Sequence, residues 1–225
     1  RWGLAGVLLG SAINIKLTPV VLVTWLVGAA PEGRARRQAF AGLAVAAVPF
    51  IAGALFFGLP FLRNVAAYTS QLDAWGLNEP VFLLERLGLQ LRGDSLDRLH
   101  TFIRLELVIG LLIAGWWLRA RLWSVTERYA LALAVFLVVT PGFGIQYLAW
   151  LGPVLLVCWP LEGALYAVLG GAYAWLAYAG WSVAGAPRWH SIYGSQVPNE
   201  ALGVAVWGLV AWVGLRLFRH APPIR

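Results

Sequence analysis

The sequence predicts an all-α fold, a polytopic bundle of transmembrane helices in which residues 1–225 form a single domain. Hydrophobic residues make up 60% of the chain and charged residues 12%, whereas a soluble domain has about half and about a quarter. The mean hydropathy is +0.74. About seven apolar segments also approach the roughly 20 residues that a helix needs to cross a bilayer. Together these observations exclude an ordinary soluble domain.

The seven segments follow one another closely along the chain, at residues 2–30, 38–59, 101–118, 123–140, 145–160, 163–183 and 201–218. The first is too long, and too interrupted by polar residues, to be a signal peptide. Only the connections 60–100 and 184–199 are long, and neither has room for a soluble domain. Tryptophans near segment ends are expected to lie at the membrane interface, among them Trp2, Trp25, Trp116, Trp117 and Trp181.

Arginines beside alternate segment ends predict the orientation. They follow the first, third and seventh segments, as Arg34, Arg36 and Arg37, then Arg119, Arg121 and Arg128, then Arg216, Arg219 and Arg225. Strict alternation places all three groups on one side, which we interpret as cytoplasmic because short cytoplasmic loops are rich in basic residues. The two long connections then lie outside.

The outer connection 60–100 is predicted to contain amphipathic helices at the membrane surface. One helical face of about 100° carries four leucines while Glu85 and Arg92 point away; the leucines are Leu83, Leu84, Leu87 and Leu91. A second helix is expected to begin at Asp94, because an aspartate can cap a first turn.

The first segment contains polar residues near its middle. Asn14 and Lys16 lie within the apolar run, and Pro19 follows three residues after the lysine. A charge at membrane depth costs several kcal/mol unless it meets water or a partner, so Lys16 is a candidate for a functional residue. The alternative is that its long side chain extends to an interface.

A second interruption lies between the fourth and fifth segments. Residues 141–144 contain one proline and two glycines, and Gln146 and Tyr147 follow after Ile145. The twelve strictly apolar residues 129–140 cover only about 18 Å as a helix, so this break is expected to lie below the membrane surface. Its freed backbone groups must face protein or a wet cavity, which Gln146 and Tyr147 would line. The alternative is a plain helical hairpin with a slightly buried turn.

Several classes of site are not expected. The one cysteine, Cys158, allows no internal disulfide or cysteine-based metal framework. The three histidines are far apart and no phosphate-binding glycine loop occurs, so neither a metal site nor a cofactor is predicted. The net charge of +7 comes from small basic groups beside apolar runs, which argues against nucleic-acid binding.

Two stretches resemble a known family. Residues 10–19, Gly-Ser-Ala-Ile-Asn-Ile-Lys-Leu-Thr-Pro, look like the Gly-x-x-x-x-x-Lys-x-x-Pro helix of bacterial GT-C glycosyltransferases, in the branch similar to polyprenyl-phosphate-mannose-dependent mannosyltransferases. Residues 141–150, Pro-Gly-Phe-Gly-Ile-Gln-Tyr-Leu-Ala-Trp, are similar to a Pro-Gly-x-x-x-Gln-Tyr-x-x-Trp hairpin found later in such proteins. The resemblance corresponds to the C-terminal portion of the family. The catalytic carboxylate is therefore expected upstream, and the start at Arg1 with no methionine agrees.

The resemblance implies transfer of a sugar, mannose or a related hexose or pentose, from a polyprenyl-phosphate donor. The acceptor would be a glycan or glycolipid at the outer face of a bacterial cytoplasmic membrane, and membrane lipid would be a further partner. Lys16 would offset the donor phosphate. The other expected binding residues are Asn14, Gln146, Tyr147, Arg188, His190 and Tyr193. For the last three, a solvated loop is the alternative.

Two other functions remain open on the sequence alone. In a transporter or flippase, Lys16 and the broken hairpin would bind an anionic or lipid-linked substrate at the membrane midplane. In a purely structural membrane subunit, small residues would only pack helices closely, the candidate pairs being Gly6 with Gly10 and Ala167 with Gly171. A structural role would leave Lys16 unexplained.

Overall fold

A computed structural model describes residues 1–15, 18–70, 84, 87–88, 94–118, 124–140, 147–182 and 197–219. The regular secondary structure in these residues is helical, which confirms the all-α class. The helices are α1 (Trp2–Ile15), α2 (Val23–Ala29), α3 (Arg34–Ser70), α4 (Asp94–Trp117), α5 (Val125–Val139), α6 (Leu148–Cys158), α7 (Pro160–Ser182) and α8 (Val197–Arg219). A 3-10 helix, Thr18–Leu22, precedes α2.

Two stretches among the described residues are long and apolar enough to cross a membrane, Arg34–Asn64 and Ala201–Arg219. Shorter apolar helices are Trp2–Ile15, Pro19–Ala29, Glu106–Trp117 and Leu148–Cys158. The chain therefore has helices of membrane-spanning character. That it crosses the membrane seven times stays a prediction.

The helix boundaries follow the predicted segments except in the first three. The first segment, 2–30, is not one helix: α1 ends at Ile15 and a 3-10 helix begins at Thr18. Pro19 offers no N–H to the Ile15 carbonyl, so the α-helical hydrogen-bond pattern is interrupted at this position. Helix α4 begins at Asp94 as expected, but it continues to Trp117, so it joins the third predicted segment in one helix.

The expected helix at 83–91 lies outside the described residues except for Leu84, Leu87 and Gly88. There the Leu87 N–H donates to the Leu84 carbonyl at 3.1 Å. In α3, Gly58 has φ 64° and ψ −151°, a conformation that a side chain would strain. The predicted end of the second segment at residue 59 thus corresponds to a kink, after which the helix resumes.

The chain divides into two compact units, and the first comprises Arg1–Leu72, Val108–Ala132 and Ala221–Arg225. In it α1 packs along α3 at very close range. A Cβ at Gly6 would clash with the Ala39 carbonyl, and one at Gly42 would clash with the Gly3 carbonyl. Small residues thus let the two backbones touch, as the sequence suggested for Gly6.

Two expectations about packing residues are wrong. Trp25 is not an interface anchor, since it is 1% exposed and its indole N–H donates to the Leu111 carbonyl at 3.0 Å. Gly171 is not at a close helix contact, because a Cβ there would have no neighbour within 4 Å in the described structure.

The second unit comprises Asp73–Leu107 and Leu133–His220. Helices α6 and α7 pack against each other after a reversal at Trp159, and the Tyr166 hydroxyl donates to the Leu148 carbonyl at 2.6 Å. Helix α8 packs on α7. An ion pair between Arg216 and Glu162 joins these two helices, and the same guanidinium lies 4.6 Å from the ring centroid of Trp159.

Candidate functional site

The first candidate region is the break between α1 and the 3-10 helix. Lys16 lies in this break and outside the described residues. Asn14, the last residue but one of α1, is half-buried, and its side-chain nitrogen donates to two backbone carbonyls. One is Gly10 on the same helix at 2.9 Å, and the other is Ala46 on α3. The amide therefore ties the end of α1 to its neighbour.

This geometry gives Asn14 a structural role. Both neighbours are carbonyl oxygens, so the amide must present its nitrogen to them, and its two N–H donors are engaged. These bonds fix the direction of the chain two residues before Lys16. That Asn14 also binds substrate stays a prediction.

The chain after the break is firmly anchored. Pro19 is buried, Val21 is 1% exposed, and Trp25 is tied to α4 by its hydrogen bond to Leu111. Gly115 allows this approach, because a Cβ there would come within 2.6 Å of Trp25 Cδ1. Both sides of the break are thus held by contacts within the first unit.

The second candidate region is the end of α5, before residues 141–146, which lie outside the described residues. A helix leaves its last four carbonyls without intrahelical partners. Here the indole N–H of Trp207 on α8 donates to the Val138 carbonyl at 3.0 Å. Thr140, just before Pro141, is 4% exposed. The end of α5 is therefore buried and partly capped by a side chain from another helix.

Tyr147 lies at the start of α6, where it is only 3% exposed. Its ring centroid is 4.7 Å from that of Trp150 in an edge-on arrangement and 6.2 Å from that of Phe136. These contacts fix the ring inside an aromatic cluster. That its hydroxyl lines a cavity stays a prediction.

The structure describes two of the seven predicted binding residues. Asn14 belongs to the first unit and Tyr147 to the second. The remaining five lie outside the described residues, namely Lys16, Gln146, Arg188, His190 and Tyr193. Their roles stay predictions. No group of three His, Cys, Asp or Glu side chains able to hold a metal occurs in the part of the chain that the structure describes.

Sequence reasoning missed Trp207 and used Arg128 only as a member of a basic group. Trp207 lies inside its segment, where a part-buried tryptophan usually needs a partner for its N–H, and that was the available signal. Arg128 is 5% exposed, and its Nη1 donates to the Leu118 carbonyl at 3.4 Å. Helix α5 begins beside it with reciprocal hydrogen bonds between Ser124 and Glu127, a capping box.

Comparison with known proteins gives one family. The model of glycosyltransferase family 87 (GT87) matches residues 1–145, most of the chain. The match includes the break at Lys16 and ends just before Gln146. No curated protein and no solved structure matches the chain.

Proposed function

This chain belongs to glycosyltransferase family 87, and from that premise we propose that it acts in an integral-membrane glycosyltransferase of the GT-C type. It would transfer mannose, or a related hexose or pentose, from polyprenyl phosphate to a glycan or glycolipid. The reaction would take place at the outer face of a bacterial cytoplasmic membrane. The observation that carries the proposal is the family match over residues 1–145, which contains the broken first segment.

In the proposed reaction the acceptor hydroxyl oxygen attacks C1 of the donor sugar. The bond between C1 and the phosphate oxygen breaks, a carboxylate takes the hydroxyl proton, and polyprenyl phosphate leaves. Negative charge grows on the departing phosphate, so a fixed cation near it lowers the barrier. We assign that cation to Lys16, the one lysine of the chain. The carboxylate is proposed to lie upstream of residue 1.

Contacts on either side of residues 16 and 17 support this assignment. A catalytic charge stabilises a transition state only if its position is held beforehand. Asn14 ties α1 to α3 on one side of Lys16, and the buried 3-10 helix with Trp25 holds the chain on the other. The break therefore lies between two fixed ends.

We also propose the seven-span arrangement with the basic groups inside. Strict alternation places Glu162 and Arg216 on the same side, and their ion pair in the second unit supports this. After replacement of Cys158, cysteines at Asp94 and Ser191 should react with an impermeant thiol reagent from outside intact cells. A cysteine at Ala35 should stay protected. Labelling at Ala35 with protection at Asp94 would invert the arrangement.

Transfer is tested with the protein expressed from its full reading frame and purified in detergent. We expect sugar transfer from a polyprenyl-phosphate sugar and none from a nucleotide sugar. Lys16→Ala should lower the rate by about 10- to 150-fold, the loss of one charge-assisted contact of roughly 1.5–3 kcal/mol. Arg63→Gln, which removes an exposed charge, should keep the rate.

Two outcomes would contradict the proposal. The protein could instead move the lipid-linked sugar from one leaflet of a vesicle membrane to the other without forming a glycosidic bond. That result would indicate a flippase. Wild-type transfer rates in both Lys16→Ala and Gln146→Leu would remove the proposed site while leaving the family assignment intact.

A further inference from the structure

The arginines that open α3 differ in their surroundings. Arg36 is engaged: its Nη1 lies 3.3 Å from Glu32 Oε1, and its guanidinium carbon lies 5.5 Å from the ring centroid of Trp116. Arg34 and Arg37 are exposed, and no residue in the described ranges forms an ion pair with either. Two guanidinium groups are therefore available to a ligand at this end of the helix.

These two side chains border a groove. Its described lining consists of Arg34, Arg37, Gln38 and Ala41. The spacing of three, four and seven residues puts all four on one face of α3. Ala41 is exposed and small, so the groove stays open toward the middle of the helix.

The same face continues as an exposed apolar surface. Val45 is 65% exposed and Val48 is 58% exposed. At 100° per residue, these valines fall in the same arc of about 100° as the groove residues. From Arg37 to Val48 the helix rises about 17 Å, close to half of a hydrocarbon core of roughly 30 Å. The surface thus combines two positively charged side chains with an apolar strip about as long as one leaflet of the bilayer is thick.

We propose that this surface binds an anionic phospholipid. The phosphodiester would accept hydrogen bonds from Arg34 and Arg37, because a guanidinium matches phosphate oxygens in a two-point geometry. An acyl chain would lie over Ala41, Val45 and Val48. Two unneutralised positive charges select a headgroup of net negative charge over a zwitterionic one, and anionic lipids are enriched in the cytoplasmic leaflet where the basic groups are placed.

This site is separate from the proposed transfer reaction. The lipid surface is the exposed face of α3 that carries Val45 and Val48, whereas Asn14 of α1 contacts α3 at Ala46, which is only 7% exposed. Loss of lipid binding would therefore leave the assignment of Lys16 untouched, and loss of transfer in Lys16→Ala would leave the lipid site untouched.

The test is a lipid titration of the delipidated protein, expressed from its full reading frame, followed by native mass spectrometry. We expect dioleoyl phosphatidylglycerol to bind more tightly than dioleoyl phosphatidylcholine. The double variant Arg34→Gln, Arg37→Gln should weaken phosphatidylglycerol binding about 30-fold, about fivefold for each arginine. The matched control Arg63→Gln, Arg219→Gln removes two exposed arginines elsewhere and should bind as the wild type does. Ala41→Trp keeps both charges but fills the acyl path, so it should also weaken the lipid.

The remaining outcomes would overturn the proposal. Equal binding of both lipids would show that the headgroup charge is not recognised, and an equal loss in the control pair would show only a general effect of net protein charge. If inorganic phosphate displaces the lipid, and Ala41→Trp has no effect, the groove is a simple anion site. If the wild type forms dimers that the Arg34 and Arg37 substitutions separate, the face binds a second copy of the chain.

Discussion

A single methyl group placed between α1 and α3 should separate the two helices. At Gly6 a Cβ would clash with the Ala39 carbonyl and lie 3.0 Å from the Leu43 nitrogen, both of which are backbone atoms. No side-chain rotation can relieve such a clash, so Gly6→Ala must shift a whole helix. At Gly3, one turn earlier, a Cβ would lie 3.5 Å from the Gln38 carbonyl, an ordinary contact. Gly3→Ala is therefore a control with the same chemistry on the same helix.

The expected loss follows from these contacts. Overpacking typically costs about 1–3 kcal/mol. The bond from Asn14 to Ala46 lies two turns beyond Gly6 on the same face, and it would lengthen as the helices part. Such interhelical bonds in membranes contribute about 0.6 kcal/mol on average and up to about 1.7. Gly6→Ala should therefore lower the free energy of unfolding by about 2–4 kcal/mol relative to Gly3→Ala.

The assay is titration with sodium dodecyl sulfate in mixed micelles, with helicity followed by circular dichroism. Both substitutions raise helix propensity equally, so that contribution cancels in the difference between the two variants. We expect Gly3→Ala to unfold within about 0.5 kcal/mol of the wild type. Equal unfolding free energies for the two variants would refute the close approach of α1 and α3.

Three further predictions use the same titration. Asn14→Leu removes two side-chain hydrogen bonds at similar size, so it should lower the free energy of unfolding by about 1–2 kcal/mol; no change would exclude the tie to α3. Trp207→Phe leaves the Val138 carbonyl without its side-chain donor and should cost about 1–3 kcal/mol, whereas a neutral effect would mean that this carbonyl has another partner. Glu162→Gln and Arg216→Gln should show a coupling energy of about 1 kcal/mol in a double-mutant cycle, and strict additivity would contradict their pairing.

Local chemistry predicted much of the helical pattern. Asp94 marked the start of α4, and Pro19 lies just after the end of α1 at Ile15. Such signals act within one turn of the chain, since a proline removes a helical N–H and an aspartate favours the first turn of a helix. Local signals do not always give the end of a helix. Gly58 and Pro60 predict the end of a segment, yet helical hydrogen bonding resumes beyond the kink.

The roles of the polar residues depended on partners distant in the sequence. The sequence marks Asn14 because a polar residue in an apolar span needs a partner, and one partner is the Ala46 carbonyl, 32 residues away. A backbone carbonyl accepts the same bond whatever its side chain, so composition and spacing give no sign of it. Trp207 and Val138 are likewise 69 residues apart. The hydrophobic periodicity of a sequence locates helices and marks polar residues that are unusual there. It does not identify the backbone group to which such a residue donates its hydrogen bond.

The central claim is that the positive charge of Lys16 faces the donor phosphate. The most direct measurement is the dissociation constant of polyprenyl phosphate, the leaving group, for the wild type, Lys16→Ala and Lys16→Arg, with Arg63→Gln as the control. We expect Lys16→Ala to bind about 10- to 150-fold more weakly, since one charge-assisted contact is lost. Lys16→Arg should recover part of the affinity, because the charge is kept while the geometry changes. The same affinity in Lys16→Ala as in the wild type would contradict the claim.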